Sequence, residues 1–139
     1  MMKDNLRLLI VDDDPDDREL FMEAVREVDE SIECFTAKNG LQALETLRDQ
    51  SQQLPDLIFL DISMPLLNGR KCLTEIKADR RLQQIPVVVY TTSKDVEEAR
   101  ELKKMGAFHF MSKPRDADEI YYIVAVVLEE FRLAAGAKE

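Results

Sequence analysis

The chain is 139 residues long and has a formal net charge of −9, from 28 acidic and 19 basic side chains. That balance argues against binding nucleic acid directly, which needs Lys and Arg to neutralise phosphates; no apolar run reaches the ~18 residues that span a bilayer. Its length, with 45% apolar and 34% charged residues, predicts a single domain over 1–139 whose core needs no disulfide or metal staple. Met1-Met2-Lys3-Asp4-Asn5 leads into a strand-length apolar run with no small-residue cleavage site, so the expected location is cytoplasmic. Cys34 and Cys72 have no motif spacing and read as reduced structural thiols.

Residues 6–11 form an apolar run ending in Asp12-Asp13-Asp14-Pro15 and predict the first strand. Pro15 suits the first turn of a helix, and the aspartates ahead of it suit a helix N-terminus. Leu20, Phe21, Ala24, Val25 and Val28 then recur at helical spacing. Residues 32–37 predict a short second strand, Asn39-Gly40 a turn, and Leu41, Leu44 and Leu47 a second helix. Leu57-Ile58-Phe59-Leu60 is the most uniform apolar run and stops at Asp61. A charge is costly inside a buried strand, so Asp61 is expected at its exit.

Leu67-Asn68-Gly69 predicts a loop, and Cys72, Leu73 and Ile76 a third helix. Pro86 introduces the strand Val87-Val88-Val89-Tyr90, which ends in Thr91-Thr92-Ser93. Val96, Ala99, Leu102 and Met105 space a fourth helix closed by Gly106. Residues 108–111 predict a fifth strand ending in Ser112-Lys113-Pro114. Ile120, Ile123, Val124, Val127, Leu128 and Phe131 form the stripe of a fifth helix, and residues 134–139 are expected to fray. Strands alternating with helices predict an α/β fold, a doubly wound five-stranded parallel sheet covered by five helices.

Such sheets bind ligands at the C-terminal ends of their strands. Those ends bring Asp12, Asp13, Asp61, Thr91 and Lys113 to one edge. Each has an ordinary use alone: Asp12 to Asp14 as a helix cap, Asp61 as a turn cap, Thr91 as a strand-end hydroxyl, Lys113 as a solvated cation. Together they predict more. Three close carboxylates raise one another's pKa values, and a hard divalent cation such as Mg2+ relieves them. With a metal, Lys113 and Thr91, the site predicts a cradle for a phosphoryl group, in which a carboxylate attacks in line.

At these residues the chain resembles the CheY-like receiver domain of bacterial two-component response regulators. The pieces are Leu8-Leu9-Ile10-Val11-Asp12-Asp13-Asp14-Pro15, Asp61-Ile62-Ser63-Met64-Pro65-Leu66-Leu67-Asn68-Gly69, Val89-Tyr90-Thr91-Thr92 and Lys113-Pro114. The resemblance implies a flavodoxin-like fold of strand order 2-1-3-4-5. It implies that Asp61 is the phosphoacceptor for a histidine kinase or histidine phosphotransfer protein. Asp13 would ligate Mg2+ directly, Asp12 largely through water, and the Ser63 main-chain carbonyl would complete the set with Asp61. Lys113 would contact the phosphoryl oxygen, across a peptide bond to Pro114 that is often cis. Thr91 would swing towards the phosphoryl group and Phe110 would turn inward behind it. The implied function is a stand-alone signalling switch in a phosphorelay, not an enzyme in the ordinary sense.

Some positions depart from the family pattern. Phe110 replaces the usual Tyr, Thr92 a smaller residue, and Arg115 an apolar one, while Ser63 and Ser93 stand where the family tunes dephosphorylation. Tyr122, Ala125, Val126 and Leu133 place an apolar face on the outer side of the fifth helix, with Glu129 among them. They predict an output or homodimer surface shared with the fourth helix and fifth strand. His109, the only histidine, reads as structural, and the methionines as packing. Three other readings fit less well. A haloacid-dehalogenase-type enzyme needs a second Asp where Ser63 stands. A flavodoxin-like cofactor module wants a phosphate loop where three aspartates stand. A pseudo-receiver would lack one of these residues.

Overall fold

The computed structural model describes residues 6–64, 68–92, 95–113 and 116–137, leaving aside the side chains of 135–137. Five strands alternate with five helices: β1 (Arg7–Val11), α1 (Pro15–Val28), β2 (Glu33–Ala37), α2 (Gly40–Arg48), β3 (Leu57–Asp61), α3 (Gly69–Ala78), β4 (Val87–Thr91), α4 (Val96–Lys104), β5 (His109–Ser112) and α5 (Ala117–Ala137). The strands form one parallel sheet in the order β2-β1-β3-β4-β5. The expected fold class and strand order are both present.

Side chains alternate across each strand, and both faces are covered. Leu9, Val11, Ile58, Leu60, Val87 and Val89 pack with residues of α2 and α3 and with Leu102 of α4. Leu8, Ile10, Leu57, Phe59, Val88 and Tyr90 pack with α1 and α5. Both sets are apolar, which is why the central strands read as unbroken apolar runs. Every residue of β3 and β4 is buried, including Asp61 and Thr91 at their ends.

Two helices meet the core differently from expectation. Leu41 is 48% exposed and Val96 64%, while Ala43 and Leu102 are buried. A strict three-residue spacing drifts by about 60° per step on a helix with 3.6 residues per turn. Two steps therefore carry Leu41 away from Leu47, and Val96 away from Leu102. At the other end of the chain, α5 is helical to Ala137. Its last turns contain Ala134, Ala135 and Ala137, which favour helix strongly.

The caps divide the acidic run after β1. Asp14 is the N-cap of α1 and accepts hydrogen bonds from the N–H groups of Asp16 and Asp17. Pro15 follows at the first helical position. Asp12 and Asp13 are thereby left for other work. Asn39, Asn68 and Asp95 cap α2, α3 and α4 in the same way. Gly106 ends α4 with φ +109°, its N–H donating to the Lys103 carbonyl at 3.0 Å.

Gly69 opens α3 against the exit of β3. Its N–H donates to the Ile62 carbonyl at 3.1 Å. A Cβ there would stand 2.5 Å from the Asp61 carbonyl oxygen and from the Ile62 Cα. Both neighbours are backbone, so neither can turn aside. Gly69→Ala is expected to cost about 1–3 kcal/mol by overpacking, measured as a lower urea midpoint. An unchanged midpoint would show that α3 can slide off the strand end.

Candidate phosphoryl and cation site

The parallel order brings the ends of β1, β3, β4 and β5 side by side. Asp61 leaves β3 only 3% exposed, Asp12 is 1% exposed at the end of β1, and Thr91 is 1% exposed at the end of β4. Asp13 is exposed beside them. One carboxylate oxygen from each of Asp12, Asp13 and Asp61 lies within 4.8 Å of the others. Lys113 follows β5, and its N–H donates to the Thr91 carbonyl at 2.6 Å.

Each group is fixed by local chemistry. Ser63 donates its N–H to Asp61 Oδ1 at 3.1 Å, and Lys113 Nζ stands 3.4 Å from Asp61 Oδ2. Asp12 Oδ1 accepts from the Asp14 N–H at 3.0 Å. Asp12 Oδ2 accepts from the Tyr90 hydroxyl at 2.9 Å and pairs with Lys113 Nζ at 3.1 Å. The Arg18 guanidinium donates to the Asp12 carbonyl at 2.7 Å. Lys113 also pairs with Asp17 of α1, at 2.8 Å.

Burial, reinforced by the nearby Asp12 charge, pushes the Asp61 carboxyl up to about 6, although Lys113 and the Ser63 N–H pull it down. Burial alone would depress Lys113. The hydrogen bond to Asp17 and the charges of Asp61 and Asp12 outweigh it and raise its pKa. Burial and then the Asp12 charge raise the Tyr90 hydroxyl well above its usual range. The cluster thus carries more negative charge than one ammonium neutralises. Three convergent carboxylates, one of them resisting ionisation, fit a hard divalent cation with oxygen ligands.

All five strand-end residues singled out in the sequence therefore meet at this edge. Phe110 is half-buried and pairs with Val89, on the sheet face that Thr91 also occupies. Pro65, Ser93, Pro114 and Arg115, and so the Lys113–Pro114 peptide bond, lie outside the described residues. Tyr90, Asp17 and Arg18 were not among the expected site residues. A signal existed for two of them. Tyr90 precedes Thr91 on a strand, so it faces the opposite side, and Asp17 lies in the first turn of the helix that follows Asp12 and Asp13.

The remaining expectations resolve simply. Tyr122 is 71% exposed, and Val126 and Leu133 are exposed with it on the outer side of α5. His109 pairs with Glu130 of α5, a structural tie between strand and helix. Burial pushes the Cys34 thiol up to about 11 and the Cys72 thiol up to about 12, which disfavours the thiolate at both. A cavity of about 790 Å³ opens at the opposite sheet edge, beside Leu54, Lys77 and Phe108, and none of the strand-end site residues lines it. No helix among the described residues is long and apolar enough to cross a membrane.

Residues 8–125 match the family model of the response regulator receiver domain. The chain belongs to this family. It is 34% identical over 116 residues to sporulation initiation phosphotransferase F of Bacillus subtilis, covering 84% of this chain and 88% of that one. It is 30% identical to response regulator Rcp1 of Synechocystis, covering 84% of this chain and 82% of that one. It is also 35% identical to the regulatory protein AtoC of Escherichia coli, where it spans 88% of this chain and only 25% of the longer protein. Among solved structures it superposes on the phosphorylated cyanobacterial phytochrome response regulator RcpA with a TM-score of 0.83 and 30% identity, over 94% of this chain and 96% of that one. The Mn(2+)-bound form of Rcp1 gives 0.79 and 28%, over 88% and 91%. The receiver is thus a module of two-component signalling, and its relatives are signalling proteins.

The buried Asp61 makes the metal-free receiver sensitive to pH. Its folded carboxyl titrates near 6 and its ordinary value is 3.8, so the fold binds that proton more tightly than the unfolded chain does. The resulting stability is full below the ordinary value and is lost as pH rises through about 6. In chelator, Asp61→Asn is expected to gain about 1–2 kcal/mol on the native receiver between about pH 4 and pH 7. Urea unfolding of both proteins across this range measures the gain; a constant difference would show that Asp61 ionises freely in the fold.

Proposed function

We propose that this receiver takes a phosphoryl group onto Asp61 from a phosphohistidine of a sensor histidine kinase or histidine phosphotransfer protein. The observation that carries the reading is the meeting of buried Asp61 with Lys113, Asp12 and Asp13 at one sheet edge. Relatives described as phosphorylated and as Mn(2+)-bound support it. Asp61 presents a carboxylate oxygen to phosphorus. The new P–O bond forms as the P–N bond breaks, and the imidazole leaves with the electron pair. The strand end fixes the attacking oxygen, so little motion is needed on the receiver side.

Asp12, Asp13, Asp61 and the Ser63 main-chain carbonyl would hold Mg2+. When bound, it would offset the charge on the phosphoryl oxygens. Lys113 donates to one of those oxygens and Thr91 to another. Phe110, on the same sheet face as Thr91, follows it inward. The phosphoryl group then biases a two-state element through contacts that exist in only one state. The α4-β5-α5 face, with Tyr122 and Val126, is the surface offered to an unidentified downstream protein or a second copy. A cytoplasmic setting suits a kinase donor.

Acetyl phosphate or beryllofluoride with Mg2+ tests the site. The native receiver is expected to form the adduct, seen by intact mass or by fluorine-19 NMR, and Asp61→Asn is not. Equal responses from the two would sink the reading. For the surface, Tyr122→Glu with Val126→Glu is expected to weaken self-association or partner capture by about tenfold while the melting temperature holds. Unchanged sedimentation and capture would dismiss that face.

A further inference from the structure

The shortest ion pair of the Lys113 ammonium is to a residue outside the acidic cluster. Its Nζ lies 2.8 Å from Asp17, 3.1 Å from Asp12 and 3.4 Å from Asp61. Asp17 stands in the first turn of α1, where Asp14 accepts its backbone N–H at 3.3 Å. The cap therefore fixes the Asp17 backbone and leaves its carboxylate to the lysine. On the other side, the Tyr90 ring lies 5.7 Å from Nζ. Tyr90 is itself set by its hydroxyl on Asp12 and by stacking on Phe21 at 5.6 Å between ring centroids. Asp12, Asp17, Phe21, Tyr90, Lys113 and Ile120 line a small void of about 10 Å³. That space is about the size of one water.

An ammonium has three N–H donors, and here three carboxylates face it. A phosphoryl group on Asp61 brings new oxygens, and Lys113 can serve one only by giving up an acceptor. Asp61 is the residue being modified. Asp12 is buried and braced by Tyr90 and the Asp14 N–H. Asp17 is the member whose side chain is 37% exposed, so water can take the place of the lysine there.

We infer that Asp17 is a positioning residue that competes with the phosphoryl group for Lys113 and so sets how readily the receiver takes up and keeps that group. The inference rests on the reading of Asp61 as phosphoacceptor. The lysine has two berths, one beside Asp17 and one on the phosphoryl oxygen. Removing the Asp17 charge frees it for the second.

The test is beryllofluoride affinity with Mg2+ present, by fluorine-19 NMR or calorimetry, beside Mg2+ affinity alone. Asp17→Asn is expected to bind beryllofluoride about two- to fivefold more tightly, the range of a partly exposed ion pair. Its Mg2+ affinity is expected to change by less than about twofold, because the competition is for the lysine and not for the cation. Asp16→Asn removes the same charge from the adjacent exposed residue and is expected to bind as the native chain does. Unchanged or weaker binding in Asp17→Asn overturns the inference, as does an equal gain in Asp16→Asn or a matching change in Mg2+ affinity. If the native chain responds as Asp61→Asn does, the phosphoacceptor reading fails and takes the inference with it. Native binding without an Asp17 effect defeats the inference alone.

Discussion

The Lys113 ammonium, within 3.4 Å of Asp12, Asp17 and Asp61, is the interaction on which the strand-end edge depends. Two of those carboxylates are almost fully buried, and in a low-dielectric setting their repulsion is poorly screened. One cation cannot neutralise them all. Burial, reinforced by the Asp12 charge, leaves an Asp61 carboxyl that holds its proton to about pH 6. The charge imbalance accounts for the fit of the site to a divalent cation, since a second positive centre is what the cluster lacks.

Placing these charges falls to the sheet. A parallel sheet covered on both faces sends its apolar residues inward all along the strand, so polar groups are confined to strand ends. The order β2-β1-β3-β4-β5 makes β3 central, with β1 and β4 as its neighbours. Asp61 is thus flanked by the ends of β1 and β4, and Lys113 reaches in from β5. The close approach of Gly69 to the Asp61 carbonyl ties the start of α3 to the same point. The sheet thus holds the carboxylate, and side chains from the ends of β1 and β5 and from α1 complete its surroundings.

The same division appears on the helices. On α1, Asp14 caps the helix and Asp17 reaches the lysine, so one short acidic run serves both folding and the site. On α5, Val124, Val127 and Leu128 are buried, while Tyr122 and Leu133 stand in solvent. His109 and Glu130 pin β5 to this helix, which connects the strand leading to Lys113 with the outward apolar face.

The sequence by itself determined the element order, the parallel sheet and the strand-end placement of Asp12, Asp13, Asp61, Thr91 and Lys113. Apolar runs of strand length, Pro15, Asn39 and Gly106 are local signals, and local geometry follows from local chemistry. The tertiary structure decided what depends on rotation and on neighbours distant in the chain. Leu41 and Val96 turned outward because a three-residue spacing drifts around a helix, a drift that only the packed core reveals. Asp17 and Tyr90 joined the site because α1 and β4 are brought against the same lysine, a meeting that their places near Asp13 and Thr91 in the sequence only hint at. The raised carboxyl of Asp61 belongs to the same class: an aspartate in a sequence has its ordinary acidity, and burial beside Asp12 changes it.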